Sequence, residues 1–217
     1  MRIGITGGIG SGKSHVARML HEQAGIPVYD SDRRARRLMT TDATLRKALT
    51  RLIGQHAYTP DGQLDRAAVA AYLFGGTDHA QAVNAIVHPA VRSDFRRWAE
   101  EQEQQGHAIV AIETALLMES HLDEDVDHIV LVDAPPELRL QRAAQRDAAT
   151  MEATARRQQR QTPHTVLRQH AHYVIHNDGQ PLAPQIATLL QEIGMSADMH
   201  PHIPQQLNHN PTCSTPS

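Results

Sequence analysis

Apolar residues fall along this chain in short unbroken runs, separated by longer stretches where they recur at helical spacing. The runs are Arg2-Ile3-Gly4-Ile5-Thr6, Ile26 to Tyr29, Ala108 to Ile112, His128 to Val132 and Tyr173 to Ile175. Near-continuous apolar runs without alternation are the signature of parallel strands buried on both faces. Between them, Val16, Met19 and Leu20 follow one helical face, as do Val69, Tyr72 and Leu73, then Val83, Ile86 and Val87. Val91, Phe95 and Trp98 continue at i, i+4 and i+7. The pattern predicts an α/β fold with an open five-stranded parallel sheet. A helical region too long for a simple crossover, from about 41 to 105, lies between strands two and three. Within it, residues 43–58 mix helix and turn, and Thr59-Pro60-Asp61-Gly62 is a turn signal. His88-Pro89 marks a boundary where proline opens a second helix.

Composition narrows this little. The chain has 217 residues, 40% hydrophobic and 21% charged, enough for one substantial core. A net charge of -3 argues against a general nucleic-acid binder. The best apolar run, Ile109 to Met118, is interrupted by Glu113, so no membrane span is expected. Cys213 is the single cysteine, which rules out an intramolecular disulfide and suits a reducing compartment; the cytoplasm is the expected location. A removable leader is not expected if functional sequence starts at Gly7. From residue 196 onward the chain turns to Pro, His, Asn, Gln, Ser and Thr, and the expectation there is disorder.

The chemistry begins directly after the first apolar run. Gly7-Gly8-Ile9-Gly10-Ser11-Gly12-Lys13-Ser14 fits G-x-x-x-x-G-K-[ST] in its required setting between a strand and a helix. Glycines let backbone wrap closely round phosphates, and successive N–H groups at a helix N-terminus make an anion nest. Gly8, Gly10, Ser11, Gly12, Lys13, Ser14 and His15 are therefore the candidate nucleotide-binding residues. Lys13 is placed for the β/γ-phosphates and the Ser14 hydroxyl for Mg²⁺. The motif is strong for nucleotide binding and silent on the reaction.

The second run ends in Asp30-Ser31-Asp32, and α/β sheets bind ligands beyond the carboxyl ends of their strands. Two acids there suggest metal or general-base work, although Asp is also a favoured helix cap. Glu113 and Asp133 end the third and fourth runs; either fits a further metal-site acid, and spacing does not choose between them. Arg33, Arg34, Arg36 and Arg37 form a basic cluster, read chiefly as a solvated helix face. Glu137 to Arg168 carries seven arginines against three acids, with Arg139, Arg142 and Arg146 at helical spacing. That stretch reads as either a solvated helix hairpin or a lid closing over phosphates. His88 alone reads as a structural or capping histidine.

Several separated blocks then resemble the dephospho-coenzyme A kinase family, from Ile3 to about Ile193. They are GITGGIGSGKS at 4–14, VYDSD at 28–32, Asp65-Arg66, NAIVHP at 84–89, ALLME at 115–119, LQRAAQRD at 140–147, Arg157 with Gln161, and YVIHNDG at 173–179. The resemblance implies a P-loop kinase fold over 1–195. Its core would be 1–40, 106–136 and 170–195, with a helical coenzyme A-binding insertion at about 41–105 and a lid at about 137–169. It also implies transfer of the ATP γ-phosphoryl group, with Mg²⁺, to the ribose 3′-hydroxyl of dephospho-coenzyme A. Lys13, Asp32 and Arg142 would be catalytic, and Thr6, Asp30, Asp32, His88 and Arg146 would meet the acceptor. A monomer or weak homo-oligomer is expected, with no nucleic-acid or membrane partner. His15 departs from the threonine usual in the family, Ala115 and Met118 replace proline and phenylalanine, and His172 and His176 stand where aspartates are common. A kinase for another small acceptor such as shikimate or gluconate should lack the His-Pro block. A regulatory GTPase should carry N-K-x-D after an apolar strand, and Asn177-Asp178-Gly179 has no lysine.

Overall fold

In the computed structural model, which describes residues 1–147 and 161–194, each apolar run becomes a strand. These are β1 (Arg2–Thr6), β2 (Val28–Asp30), β3 (Val110–Glu113), β4 (His128–Asp133) and β5 (Tyr173–His176). All pair in parallel, in the order β2-β3-β1-β4-β5. The helices are α1 (Lys13–Ala24), α2 (Ser31–Thr41), α3 (Ala43–Ile53), α4 (Arg66–Phe74), α5 (Thr77–Gln104), α6 (Pro136–Asp147), α7 (His164–His170) and α8 (Leu182–Glu192). The expected turn is present: Gly62 N–H donates to the Thr59 carbonyl at 2.8 Å, and Tyr58 bridges Leu64 beside it.

The sheet divides the core into two layers, because successive side chains of a strand face opposite ways. On β3, Val110 and Ile112 join Leu45 and Leu49 of α3 and Val91 and Phe95 of α5. Ala111 faces the other side, among Val16 and Leu20 of α1 and Ile186 and Leu189 of α8. Ile112, Leu20 and Leu49 are all fully buried, each contributing ~1.5–3 kcal/mol of transfer free energy.

One expectation fails here. His88-Pro89 does not separate two helices; Pro89 lies inside the 28-residue α5. Val83, Val87, Val91 and Phe95, spaced by four, form one buried stripe through the proline. Burying four such side chains at ~1.5–3 kcal/mol each outweighs the ~3 kcal/mol cost of an interior proline. The break comes instead at Gly75-Gly76, before α5, where Gly76 has φ 156°.

Among the described residues no helix is long and apolar enough to cross a membrane. The tail from residue 196 and residues 148–160 of the arginine-rich stretch lie outside the described residues.

Candidate active site

The loop after β1 bends through backbone that only glycine adopts cheaply. Gly10 has φ 81° and Gly12 φ 95°. Gly12 caps α1 with no side-chain hydrogen bond, and no acid occupies the first helical turn. The positive end of α1 therefore meets the loop with no acid of its own first turn offsetting it. Lys13 is buried, 8% exposed, and its ammonium donates to the Gly8 carbonyl at 3.3 Å. Such a cation is held in the loop before any ligand arrives.

The Ser14 hydroxyl donates to Glu113 Oε1 at 3.3 Å. That contact separates the two acids left open by spacing. Glu113, at the end of β3, stands beside the loop, whereas Asp133 accepts from Arg168 at 3.4 Å and lies 2.8 Å from His164. Desolvation pushes the Glu113 carboxyl above its usual range; nearby Lys13 opposes this, and Asp30 and Asp32 add to it.

Asp30 and Asp32 also part company. Asp30 is the cap of α2, accepting from Arg33 N–H at 2.9 Å. Asp32 sits in the first turn and is exposed, so its carboxylate is not spent on capping. It faces a cavity of about 440 Å³ that Lys13, Ser14, Glu113, Arg33 and Arg36 also line. Two of the four arginines read as a solvated face thus border this cavity.

Several neighbours brace the loop. Gln161 accepts from Ile9 N–H and donates to the Ala115 carbonyl, both at 3.0 Å. Asn177 donates to the Ser11 carbonyl at 2.8 Å. The Arg139 guanidinium lies over Gly8, where a Cβ would overlap it, and its backbone carbonyl closes on Gly10. Arg139 also lines a second cavity of about 330 Å³, with Asp133, Pro135, Pro136, His164 and His176. Sequence spacing gave Gln161 and Asn177 no partners, because both bond to backbone groups of segments far along the chain.

The remaining candidates fall at different places. Arg142 donates to the Asn177 carbonyl at 3.1 Å and does not line the 440 Å³ cavity. The Arg146 side chain lies outside the described part of α6. Thr6 is fully buried, and among the described residues no partner is found for its hydroxyl or that of Ser11. His15 turns toward Arg18, 2.8 Å away. His88 directs Nδ1 at the Glu119 carbonyl, 3.2 Å away, and burial lowers its pKa.

A phosphate loop entering α1 at the carboxyl edge of a sheet in this order, facing an acid from the neighbouring strand, places the protein in the class of P-loop kinases. Comparison with known proteins narrows the class. The dephospho-CoA kinase family model matches residues 1–182. A dephospho-CoA kinase of Bacteroides fragilis (strain YCH46) is 43% identical over 191 residues, which is 88% of this chain and 91% of that protein. A Thermus thermophilus protein of known crystal structure superposes with TM-score 0.71 at 33% identity, covering 89% of this chain and 95% of its own. A dephospho-CoA kinase structure from Campylobacter jejuni, at 20% identity, shares the fold with TM-score 0.65 over 88% and 96% of the two chains. This chain belongs to the dephospho-CoA kinase family.

Proposed function

We propose that the protein transfers the γ-phosphoryl group of ATP to the ribose 3′-hydroxyl of dephospho-coenzyme A, giving coenzyme A and ADP. One observation carries the reading: Lys13, the Ser14–Glu113 pair and an uncommitted Asp32 converge on one cavity.

Phosphoryl transfer asks mostly for positioning and charge stabilisation. The loop glycines Gly8, Gly10 and Gly12, with Ser14, would present backbone N–H groups to the phosphates, while the Ser11 and His15 N–H groups donate to the Gly8 and Gly12 carbonyls at 3.0 Å and hold the loop's shape. Lys13, fixed on the Gly8 carbonyl, meets β/γ oxygens without reorganising. Asp32 orients the 3′-hydroxyl and takes its proton as the new O–P bond forms. The bond from phosphorus to the bridging oxygen breaks, and its electron pair leaves with ADP. Arg33 and Arg36, on the acceptor side of the cavity, suit the diphosphate of the acceptor. Asp30 supports this wall as the cap of α2.

The Ser14 hydroxyl and Glu113 carboxylate are hard oxygen donors and fit Mg²⁺. Among the described residues no cluster of three or more His, Cys, Asp or Glu forms a preformed cage. That agrees with Mg²⁺, which a protein commonly holds through one or two carboxylates plus substrate phosphates. When bound, the ion neutralises charge on the β- and γ-phosphates.

The helical region 41–105 is assigned to the acceptor, and the stretch 137–169, bearing Arg139, Arg142 and Arg146, to a lid over ATP. His88 and Thr6 belong to the acceptor side on this reading. The protein is taken as cytoplasmic and as a monomer or weak homo-oligomer. A coupled ADP-release assay tests the reaction, with dephospho-coenzyme A set against shikimate, gluconate and nucleoside monophosphates. Turnover confined to dephospho-coenzyme A is expected; equal or greater turnover with another acceptor would sink the assignment.

A further inference from the structure

The chain between β3 and β4 carries an acid, Glu119, that does not line the 440 Å³ cavity. Residues 114–122 fold into a compact platform. The Thr114 hydroxyl accepts from Leu116 N–H at 3.1 Å, and the Ser120 hydroxyl donates to the Leu116 carbonyl at 2.5 Å. The Ser120 and Leu122 N–H groups donate to the Leu116 and Leu117 carbonyls, both at 3.0 Å. Leu117 and Leu122 anchor the platform among the buried residues of α3 and α5. His88 of α5 adds its contact to the Glu119 carbonyl. Glu119 therefore stands on fixed backbone.

Its carboxylate makes one hydrogen bond. Oε1 accepts from Thr162 N–H at 2.5 Å, and Oε2 is buried with no hydrogen-bond partner among the described residues. As a tether this is costly, since a buried acceptor left unmade forfeits its hydration. Stability alone gives no reason for an acid here. What the bond fixes is the backbone one residue beyond Gln161, whose amide joins Ile9 of the phosphate loop to Ala115 of the platform's approach. Gln161, Ile9 and Ala115 all line the 440 Å³ cavity, with Lys13 and Asp32. Gln161 is thus a strut between the loop and the chain that leaves β3.

We infer that Glu119 is a positioning residue for phosphoryl transfer: by pinning Thr162 it sets the Gln161 strut, and the strut sets the spacing of the loop from Asp32. The inference rests on the proposed reaction, in which a phosphoryl group held by the loop must meet a hydroxyl at Asp32. Such a step is sensitive to placement, and a displacement of about 1 Å can cost ~10²-fold. A glutamine amide reaches backbone groups on two separate segments only when its own backbone is held. Thr162 N–H is the neighbouring group through which Glu119 holds it.

The test is a double-mutant cycle in the full-length protein. It measures kcat for ADP release at saturating ATP and dephospho-coenzyme A, beside a melting curve for each variant. Glu119→Ala and Gln161→Ala should each lower kcat ~10-fold per folded molecule. Since Glu119 acts through Gln161, the double variant should fall no more than about two-fold below the worse single one. Glu119→Gln keeps an oxygen for Thr162 N–H and should hold kcat within about three-fold of normal. A Glu119→Ala protein with kcat within about two-fold of normal overturns the inference whatever its melting temperature, because Glu119 is then a structural tether only. Losses that multiply to ~100-fold in the double variant overturn it too, because the two residues then act independently. So does a loss in Glu119→Gln as large as that in Glu119→Ala, which assigns the effect to charge rather than to the hydrogen bond. Should Glu119→Ala fail to fold, Thr162→Pro deletes the same hydrogen bond from the donor side and takes its place in the cycle. Absence of ADP release by the unaltered protein overturns the proposed reaction instead, a result no variant is needed to see.

Discussion

Replacing Asp32 and Asp30 in turn by asparagine separates chemistry from capping, because the structure gives the two acids different work. Asp30 accepts the Arg33 N–H at the start of α2, and asparagine caps about as well as aspartate. Asp30→Asn should therefore melt within about 2–4 °C of the unaltered protein, since even 1 kcal/mol shifts a domain of this size by roughly that much. Asp32 makes no cap bond; its structural worth is one negative charge in the first turn of α2. Losing that charge costs ~0.3–1 kcal/mol. If the carboxylate accepts the hydroxyl proton, Asp32→Asn should lower kcat by ~10²–10⁴-fold. At 1.36 kcal/mol per decade this is about 2.7–5.4 kcal/mol of barrier, several times the stability term. The assay is coupled ADP release at saturating ATP and dephospho-coenzyme A, with a melting curve on each variant. The KM for ATP should stay within about two-fold, because Asp32 lies on the acceptor wall. A kcat for Asp32→Asn within ten-fold of normal, beside a larger loss at Asp30, would refute the reasoning and move the base to Asp30.

Three further outcomes are expected. Lys13→Ala removes the buried cation of the loop and should cut turnover ~10²-fold or more, with folding checked by circular dichroism. Near-normal turnover would contradict the loop assignment. Gly10→Ala forces a Cβ into φ 81° and onto the Arg139 carbonyl, so it should cost at least ~1–2 kcal/mol and weaken ATP binding in calorimetry. An unchanged melting temperature would mean the loop tolerates that side chain. Asp125 accepts from Arg92 at 2.5 Å and from Arg96 at 2.8 Å. Burial raises its carboxyl, but these hydrogen bonds prevail and hold it below the ordinary aspartate value. Its stabilisation is thus full above the unfolded value and is lost as pH falls through the folded one. Asp125→Asn should cost ~1.5–3 kcal/mol in urea unfolding at pH 7, a deficit that shrinks below about pH 4; a pH-independent deficit would contradict the pairing.

The sheet was legible because parallel strands buried on both faces leave unbroken apolar runs, and Ile3 to Ile5 or His128 to Val132 have no competing reading. The phosphate loop was legible for a similar reason: its chemistry is local, eight consecutive residues between strand and helix. Pro89 was misread as a boundary because a local rule about proline competes with the burial of Val83, Val87, Val91 and Phe95, which only tertiary packing reveals. Glu113 and Asp133 were indistinguishable by spacing, since both end a strand. Strand order separates them: β3 and β4 flank β1 on opposite sides. Gln161 and Asn177 could not be given partners at all, because they bond to backbone groups and a backbone group leaves no residue-type signal.

The chain has a single tryptophan, Trp98, and its surroundings make it useful. Its ring lies 5.3 Å from that of Tyr29 and 6.3 Å from that of Phe95. Tyr29 is the residue before Asp30, and its hydroxyl donates to Asp94 of α5 at 2.9 Å. The indole therefore reports on the joint between β2 and the helical layer without any label. Its emission has one origin, so a titration with either nucleotide registers only events that reach this joint. An acceptor that repacks α5 against β2 should change the signal, while ATP settling in the glycine loop should leave it almost still. Light alone can then tell which half of the enzyme a ligand has entered.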